Sequence, residues 1–373
     1  MDRIYLDFNA STPIAPEVAD AMRPYLAEHF GNPSSRHWAG APAKEAVERA
    51  RAEVAGLLGC EPAKVVFTSG GSESNNWAIK GVFLAARSRG DHVITTSVEH
   101  PSVIEPCRFL ERLGARVTYL PVDGFGMVDP DGVHRAITAK TVLITVMHAN
   151  NEVGTVQPIR EIAAVARERG VTFHTDAAQS VGKIETRVDD LGADLLTVAG
   201  HKLYAPKGVG ALYVRTGTAI EPLIHGAGHE SGRRAGTENV LLDVGLGAAC
   251  RIAVPWVGMP AVKRLRDRLW ERLRAALGER VVLNGHPERR LPNTLNVSFP
   301  GRIGADVLAA LDGVAASTGS ACHEGRLEMS PVLLAMGVRP QVGLGAVRLS
   351  LGRTTTEAEV DEVADRLARV LAS

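Results

Sequence analysis

Neither sign of charge is in excess in this sequence. Its 42 basic side chains are matched by 42 acidic ones, which removes any electrostatic case for nucleic acid or an anionic membrane. Long apolar runs are also missing: none approaches the roughly 18 residues that suggest a membrane span. The N-terminus, MDRIYLDFN, carries charge at once and has no apolar h-region, so no signal peptide is expected. Cysteine is scarce. Cys60, Cys107, Cys250 and Cys322 lie far apart, with no CxxC pair and no His/Cys metal spacing, and a reducing, cytoplasmic setting fits best. There is no internal repeat and no low-complexity linker. What remains is a chain of 373 residues, 45% hydrophobic, long enough for a large domain, a smaller one and a substantial core.

From about Val65 the pattern becomes regular. VVFTS, HVITTS, RVTYLPV, TVLITVMH, VTFHTDA, DLLTVAG and GALYVR read as short buried strands. Between several of them lie helical segments: SESNNWAIKGVFLAARSRG, SVIEPCRFLERLG closed by Gly114, and IREIAAVARERG. Such alternation indicates an α/β fold with a mostly parallel sheet covered on both faces. This large domain is placed at residues 13–255. Beyond it, VKRLRDRLWERLRAALG is a strongly amphipathic helix. TLNVSF, the helix ADVLAALDG, AVRLSLG and a last helix follow, the last opened by Thr356 and Glu359 in capping-box spacing. Residues 256–373, joined by 1–12, make a smaller α+β domain.

The chemistry-bearing residues fall at strand ends. Lys202, in TVAGHKLYAPKGVG, follows a strand and faces the crevice where open α/β sheets bind ligands. A lysine there can form a Schiff base with a carbonyl cofactor, or it can be an ordinary surface lysine. Asp176 ends another strand. Pyridoxal phosphate needs a carboxylate beside its ring nitrogen, although an aspartate here also suits a helix N-cap. Gly70, Gly71 and Ser72 stand between a strand and a helix, where free backbone N–H groups meet a phosphate. The segment is neither GxGxxG nor a Walker motif, so one phosphate is the simpler guest, with a plain helix cap as the alternative. His100 can stack on a flat ring and move protons, or be a structural histidine. Asn150 and Asn151 can orient a ring hydroxyl or a carboxylate, or close a turn. Arg348, in an apolar strand, must find an anion, a bound carboxylate or an internal salt bridge. Cys322 sits in STGSACHEG, among small polar residues where a thiol is reachable and a thiolate tolerated.

Together the residues resemble a known family. YLDFNASTP, GNPSS, FTSGGSESNN, HANNEVGTVQP, HTDAAQSVGK, GHKLYAPKGVGALYV, RRAGTENV, GSAC and RLSLGR resemble, in order and nearly end to end, the cysteine desulfurases of the class V aminotransferase group. These are pyridoxal phosphate enzymes of fold type I. The resemblance implies a seven-stranded, mostly parallel sheet and a small domain carrying the cysteine loop. It implies that Lys202 attaches pyridoxal 5'-phosphate, that Asp176 pairs with its ring nitrogen and Gln179 with its ring oxygen, and that His100 stacks on the ring and shuttles protons. Gly71, Ser72 and His201 would hold the phosphate, with Ala199 beside them, and Thr237 would reach the phosphate of the other subunit of a homodimer. Asn151 and Arg348 would hold the carboxylate of L-cysteine. The Cys322 thiolate would take the substrate's sulfur as a persulfide, release L-alanine, and pass the sulfur to an acceptor or iron–sulfur scaffold protein or into tRNA thiolation. No resident metal is implied, though Cys322 could transiently ligate an iron–sulfur cluster with a partner.

Two departures are visible. Ala199 stands where many members place a serine on the phosphate. The run GSACHEG…SPVLLAMGV, with His323 beside Cys322, is also similar to selenocysteine lyases, which leaves that activity as an alternative. An aminotransferase or β-lyase with Cys322 as bystander, and a non-enzymatic scaffold, are the more distant readings.

Overall fold

The computed structural model describes residues 3–318 and 328–372 in full, and the backbone alone of 320–323 and 326–327. Its centre is a seven-stranded sheet. The strands in chain order are β1 (Val65–Thr68), β2 (His92–Thr96), β3 (Arg116–Leu120), β4 (Thr141–Thr145), β5 (Thr172–Asp176), β6 (Leu195–Ala199) and β7 (Gly210–Val214). Their order across the sheet is β1-β7-β6-β5-β4-β2-β3. From β3 to β6 all neighbours are parallel, and β7 runs antiparallel to both β6 and β1. The reason lies in the connection. Residues 200–209 are too few for the dozen or more that a parallel crossover needs, so the chain returns as a hairpin. Lys202 sits on that return.

Both faces of the sheet are covered, as its nearly unbroken apolar strands require. Successive residues of β1 serve opposite faces: Val65 and Phe67 join one buried cluster, and Val66 joins another. On the second face lie Trp77 and Phe83 of α2 (Gly71–Ala86) and Cys107 and Leu110 of α3 (Pro101–Arg112). Each large side chain buried there contributes about 1.5–3 kcal/mol. On the first face lie Ile159 and Ile162 of α4 (Ile159–Glu168), and α1 (Gly40–Leu58) packs against α5 (Val240–Ala253). The approach is close enough that a Cβ on Gly247 would sit 2.5 Å from the Ala50 Cα.

A separate cluster gathers Ile4 and Leu6 with Leu269 and Leu273 of α6 (Pro260–Leu277) and Val363 and Leu367 of α7 (Glu357–Ala372). These helices cover a second sheet, in which Thr294–Ser298 lies between Val282–Asn284 and Ala346–Ser350, with Ser317–Thr318 at the far edge. The capping box at α7 forms: the Glu359 carboxylate accepts from the Thr356 N–H at 2.7 Å, and Thr356 Oγ1 accepts from the Glu359 N–H at 3.2 Å. Ser320–His323 pairs antiparallel with Arg326–Met329, Cys322 opposite Leu327.

Candidate active site

The strand ends open onto one cavity of about 630 Å³, lined among others by Gly71, Ser72, His100, Asn151, Asp176, Gln179, Ala199, His201, Lys202 and Arg348. One wall is the start of α2. Gly70 has φ 146° and ψ −180°, a conformation essentially restricted to glycine. No side chain caps α2, so its first-turn N–H groups are left for an anion. The approach of β7 keeps this wall tight: a Cβ on Gly210 would lie 2.7 Å from the Gly70 Cα and 2.5 Å from the Val198 carbonyl oxygen. His201 adds a buried Nδ1 without a partner among the described residues. Burial, then the Lys202 and Lys207 ammonium groups, push its pKa down to about 4. A neutral imidazole with an unfilled nitrogen beside an uncapped helix N-terminus suits the phosphate of a phosphorylated cofactor.

Lys202 Nζ donates to the carbonyls of Asn9 at 2.7 Å and Ala10 at 2.9 Å. Burial, then repulsion from Arg348, lower its pKa to about 8, against the pull of Asp176 and Asp7. The buried Asp176 carboxylate accepts from the Ala178 N–H at 2.9 Å and from Asn75 Nδ2 at 2.7 Å. Gln179 is held at both ends of its amide. Its Nε2 donates to the Asn9 carbonyl at 3.0 Å, and its Oε1 accepts from Lys183 Nζ at 2.9 Å. His100 caps α3: its Nδ1 accepts from the Ser102 N–H at 3.1 Å and lies 2.8 Å from Ser102 Oγ.

Arg348 finds an anion inside the chain. It donates to Asp7 Oδ1 at 2.8 Å, Ser317 Oγ at 3.0 Å and the Asn151 carbonyl at 2.9 Å, while its buried Nε has no partner among the described residues. Asn150 and Asn151 divide the roles open to them. Asn150 Oδ1 closes the turn by accepting from the Glu152 and Val153 N–H groups, and Asn151 lines the cavity. Thr237 does not reach this cavity; it lines a neighbouring one of about 240 Å³ with Glu230, Arg234 and Asp243. The side chains of Cys322 and His323 lie outside the described residues. The other three thiols are poor nucleophiles: burial pushes Cys60 up to about 11, Cys107 up to about 12, and Cys250 higher still.

Sequence reasoning missed Asn9, the hub of the site. Its Nδ2 donates to Thr294 Oγ1 at 2.8 Å, and its Oδ1 accepts from Lys183 at 3.2 Å and Asn293 at 3.0 Å. The only signal was its place in the YLDFNASTP segment, before any strand or helix pattern begins.

The family model for class-V aminotransferases matches residues 4–363. A protein of Dictyoglomus turgidum described as cysteine desulfurase IscS is 47% identical over 372 residues, covering 99% of this chain and 94% of that protein. One of the same description from Methanosarcina thermophila is 47% identical, covering 99% and 92%. Among solved structures, a NifS-like protein superposes with TM-score 0.93 at 37% identity over 99% of both chains. SspA in complex with cysteine superposes with TM-score 0.84 at 40% identity, covering 93% of this chain and 98% of that one. The chain therefore belongs to the class-V aminotransferase family, among its cysteine desulfurases.

Proposed function

We propose that this desulfurase runs on pyridoxal 5'-phosphate held in the 630 Å³ cavity and stores the sulfur of L-cysteine on Cys322 before passing it to an acceptor protein for iron–sulfur cluster assembly or thiolation. The observation that carries the reading is the convergence of Lys202, Asp176, His100 and Arg348 on a cavity with an uncapped helix N-terminus. When bound, the cofactor withdraws electrons from the substrate's α-carbon. The first turn of α2 and His201 would hold its phosphate, Asp176 would keep the proton on its ring nitrogen, Gln179 would meet its ring oxygen, and Lys202 would be the amine that attaches it. As a free amine, Lys202 would move the α-proton. Arg348 and Asn151 orient the substrate carboxylate. The Cys322 thiolate attacks the substrate sulfur, the carbon–sulfur bond breaks with its electron pair going to carbon, and protonation there yields alanine and a Cys322 persulfide.

The exposed side chains of Leu26, Phe30 and Trp38 and the position of Thr237 outside the main cavity support a homodimer in which Thr237 serves the partner's site.

The test mixes the loaded enzyme with L-cysteine and a reductant and measures sulfide and alanine, for wild type and Cys322→Ala. Equal amounts of both from wild type, and their loss in the variant, are expected. Turnover that survives in the variant removes Cys322 from the chemistry. A faster rate on L-selenocysteine, with sulfide release that is only residual, redirects the reading to selenium.

The state of Lys202 gives a pH dependence. Its neutral amine is the attacking form, and the lowered pKa of about 8 leaves roughly a tenth of it neutral at pH 7. The rate at which apoprotein captures added pyridoxal phosphate, followed by its visible band, rises about tenfold per pH unit below 8 and levels off above. A curve still climbing at pH 10 contradicts this.

A further inference from the structure

Between Asp176 and His100 runs a hydrogen-bond chain that the proposed mechanism does not use. Asn75, buried in the first turns of α2, donates from Nδ2 to Asp176 Oδ2 at 2.7 Å and to Ser102 Oγ at 2.8 Å. The carboxylate has no hydrogen to give, so the amide nitrogen must face it, and both amide hydrogens are then used. Asn75 Oδ1 is left buried without a partner among the described residues. Ser102 Oγ also lies 2.8 Å from His100 Nδ1. That nitrogen accepts from the Ser102 N–H at 3.1 Å, so its lone pair and not a hydrogen faces Ser102, and the hydroxyl is the donor of the shorter contact. Two donors aimed at Nδ1 leave no room for a proton on it, so the ring's single hydrogen belongs on Nε2, the other nitrogen.

We infer that Ser102, oriented by Asn75, closes Nδ1 of His100 and holds the ring neutral, so that His100 serves the reaction as an Nε2–H donor and stacking surface and not as a base. Ser102 and Asn75 are positioning residues, and proton movement at the substrate's α-carbon falls to Lys202. The charged groups around the ring are consistent with this. Burial lowers the His100 pKa, the Lys202 ammonium lowers it further, and Asp176 opposes both. His201 on the same side is itself held neutral. Glu99, the preceding residue, is turned away into hydrogen bonds from Thr96 Oγ1 and the Met147 N–H. The inference rests on the proposed reading of the cavity, but the state of the ring can be measured without turnover.

The experiment uses ¹⁵N-histidine-labelled enzyme loaded with pyridoxal phosphate. The ring nitrogens of His100 are assigned by their loss in His100→Ala and titrated in wild type, Ser102→Ala and Ser102→Thr. Wild type is expected to show an unprotonated Nδ1 and a protonated Nε2. In Ser102→Ala one of the two donors is gone, and the titration midpoint rises by roughly 0.5–1 pH unit. The acid limb of kcat/KM moves with it, and Ser102→Thr, which keeps the hydroxyl, restores both. A proton on Nδ1 in wild type overturns the inference, and so does a Ser102→Ala midpoint equal to that of wild type. Full turnover by His100→Ala, with the wild-type ring found as described, would leave the closed Nδ1 standing and sink the placing of His100 in the reaction.

Discussion

In a Lys202→Ala variant, turnover of L-cysteine falls by at least about 10³-fold, and borohydride reduction of the loaded enzyme no longer fixes the cofactor to any peptide. The size of the effect follows from what else the cavity offers. Lys202 Nζ rests on the backbone carbonyls of two residues that line it, Asn9 and Ala10, and its pKa of about 8 makes it both a competent attacking amine and a competent proton carrier. Lys183 is the nearest buried amine. Burial, then repulsion from Lys202 and Arg348, depress its pKa far below the usual lysine value, but its nitrogen is committed to Gln179 Oε1 and Asn9 Oδ1 and does not line the cavity. Lys207 does line it, close enough to His201 to lower that ring's pKa. Peptide mass mapping after reduction separates the candidates. A label on Lys207 or Lys183 in wild type, or turnover in the variant within tenfold of wild type, contradicts the assignment.

The sequence carried the sheet, and several candidate residues beside it, for one physical reason. They follow short, buried strands, and the ends of parallel strands share one edge. Val65–Thr68 leads to Gly70 and Gly71, His92–Thr96 to His100, Thr141–Thr145 to Asn150 and Asn151, Thr172–Asp176 ends on Asp176, and Leu195–Ala199 leads to Lys202. Local pattern reads such placements well. It does not read the support behind them. Asn9 reaches Thr294 across 285 residues and Lys183 across 174, and no periodicity announces a contact between an irregular N-terminal segment and a distant strand. The chain Asn75–Ser102–His100 was hidden differently: Asn75 and Ser102 occupy the first turns of two helices, where asparagine and serine are ordinary, and only their side-by-side packing gives them a shared task. The antiparallel β7 also escaped the pattern, because a strand's direction is written in the length of its connection and not in its composition.

Removing one side of the Arg51–Glu230 pair should cost about 3–5 kcal/mol of stability, as Arg51→Met or Glu230→Leu, read from the shift of the urea unfolding midpoint. Both side chains are buried. Arg51 Nη1 and Nη2 meet the two Glu230 oxygens at 2.7 and 2.8 Å. Nη1 also donates to the Val65 carbonyl at 3.0 Å, and Glu230 Oε2 accepts from the Phe67 N–H at 3.0 Å. The pair thus joins α1, the first strand of the sheet and the loop that leads to Thr237. Glu230 is held there at φ 49°, in the left-handed region that side chains avoid, so the surrounding bonds must exceed that strain. Either single variant leaves a charge in a dry site, whereas the double variant removes both charges together and should recover most of the loss, since the desolvation of the two ions largely offsets their attraction. A neighbour sharpens the contrast. Asp243 is buried with an oxygen that has no partner among the described residues, and burial, then Glu230, raise its pKa well above the carboxylate range. Burial and the Glu230 charge thus both disfavour a second negative charge there. Single variants within 1 kcal/mol of wild type would mean that water reaches the pair. A double variant as unstable as the sum of the singles would mean that its hydrogen bonds to Val65 and Phe67, and not the charges, hold the loop against the sheet.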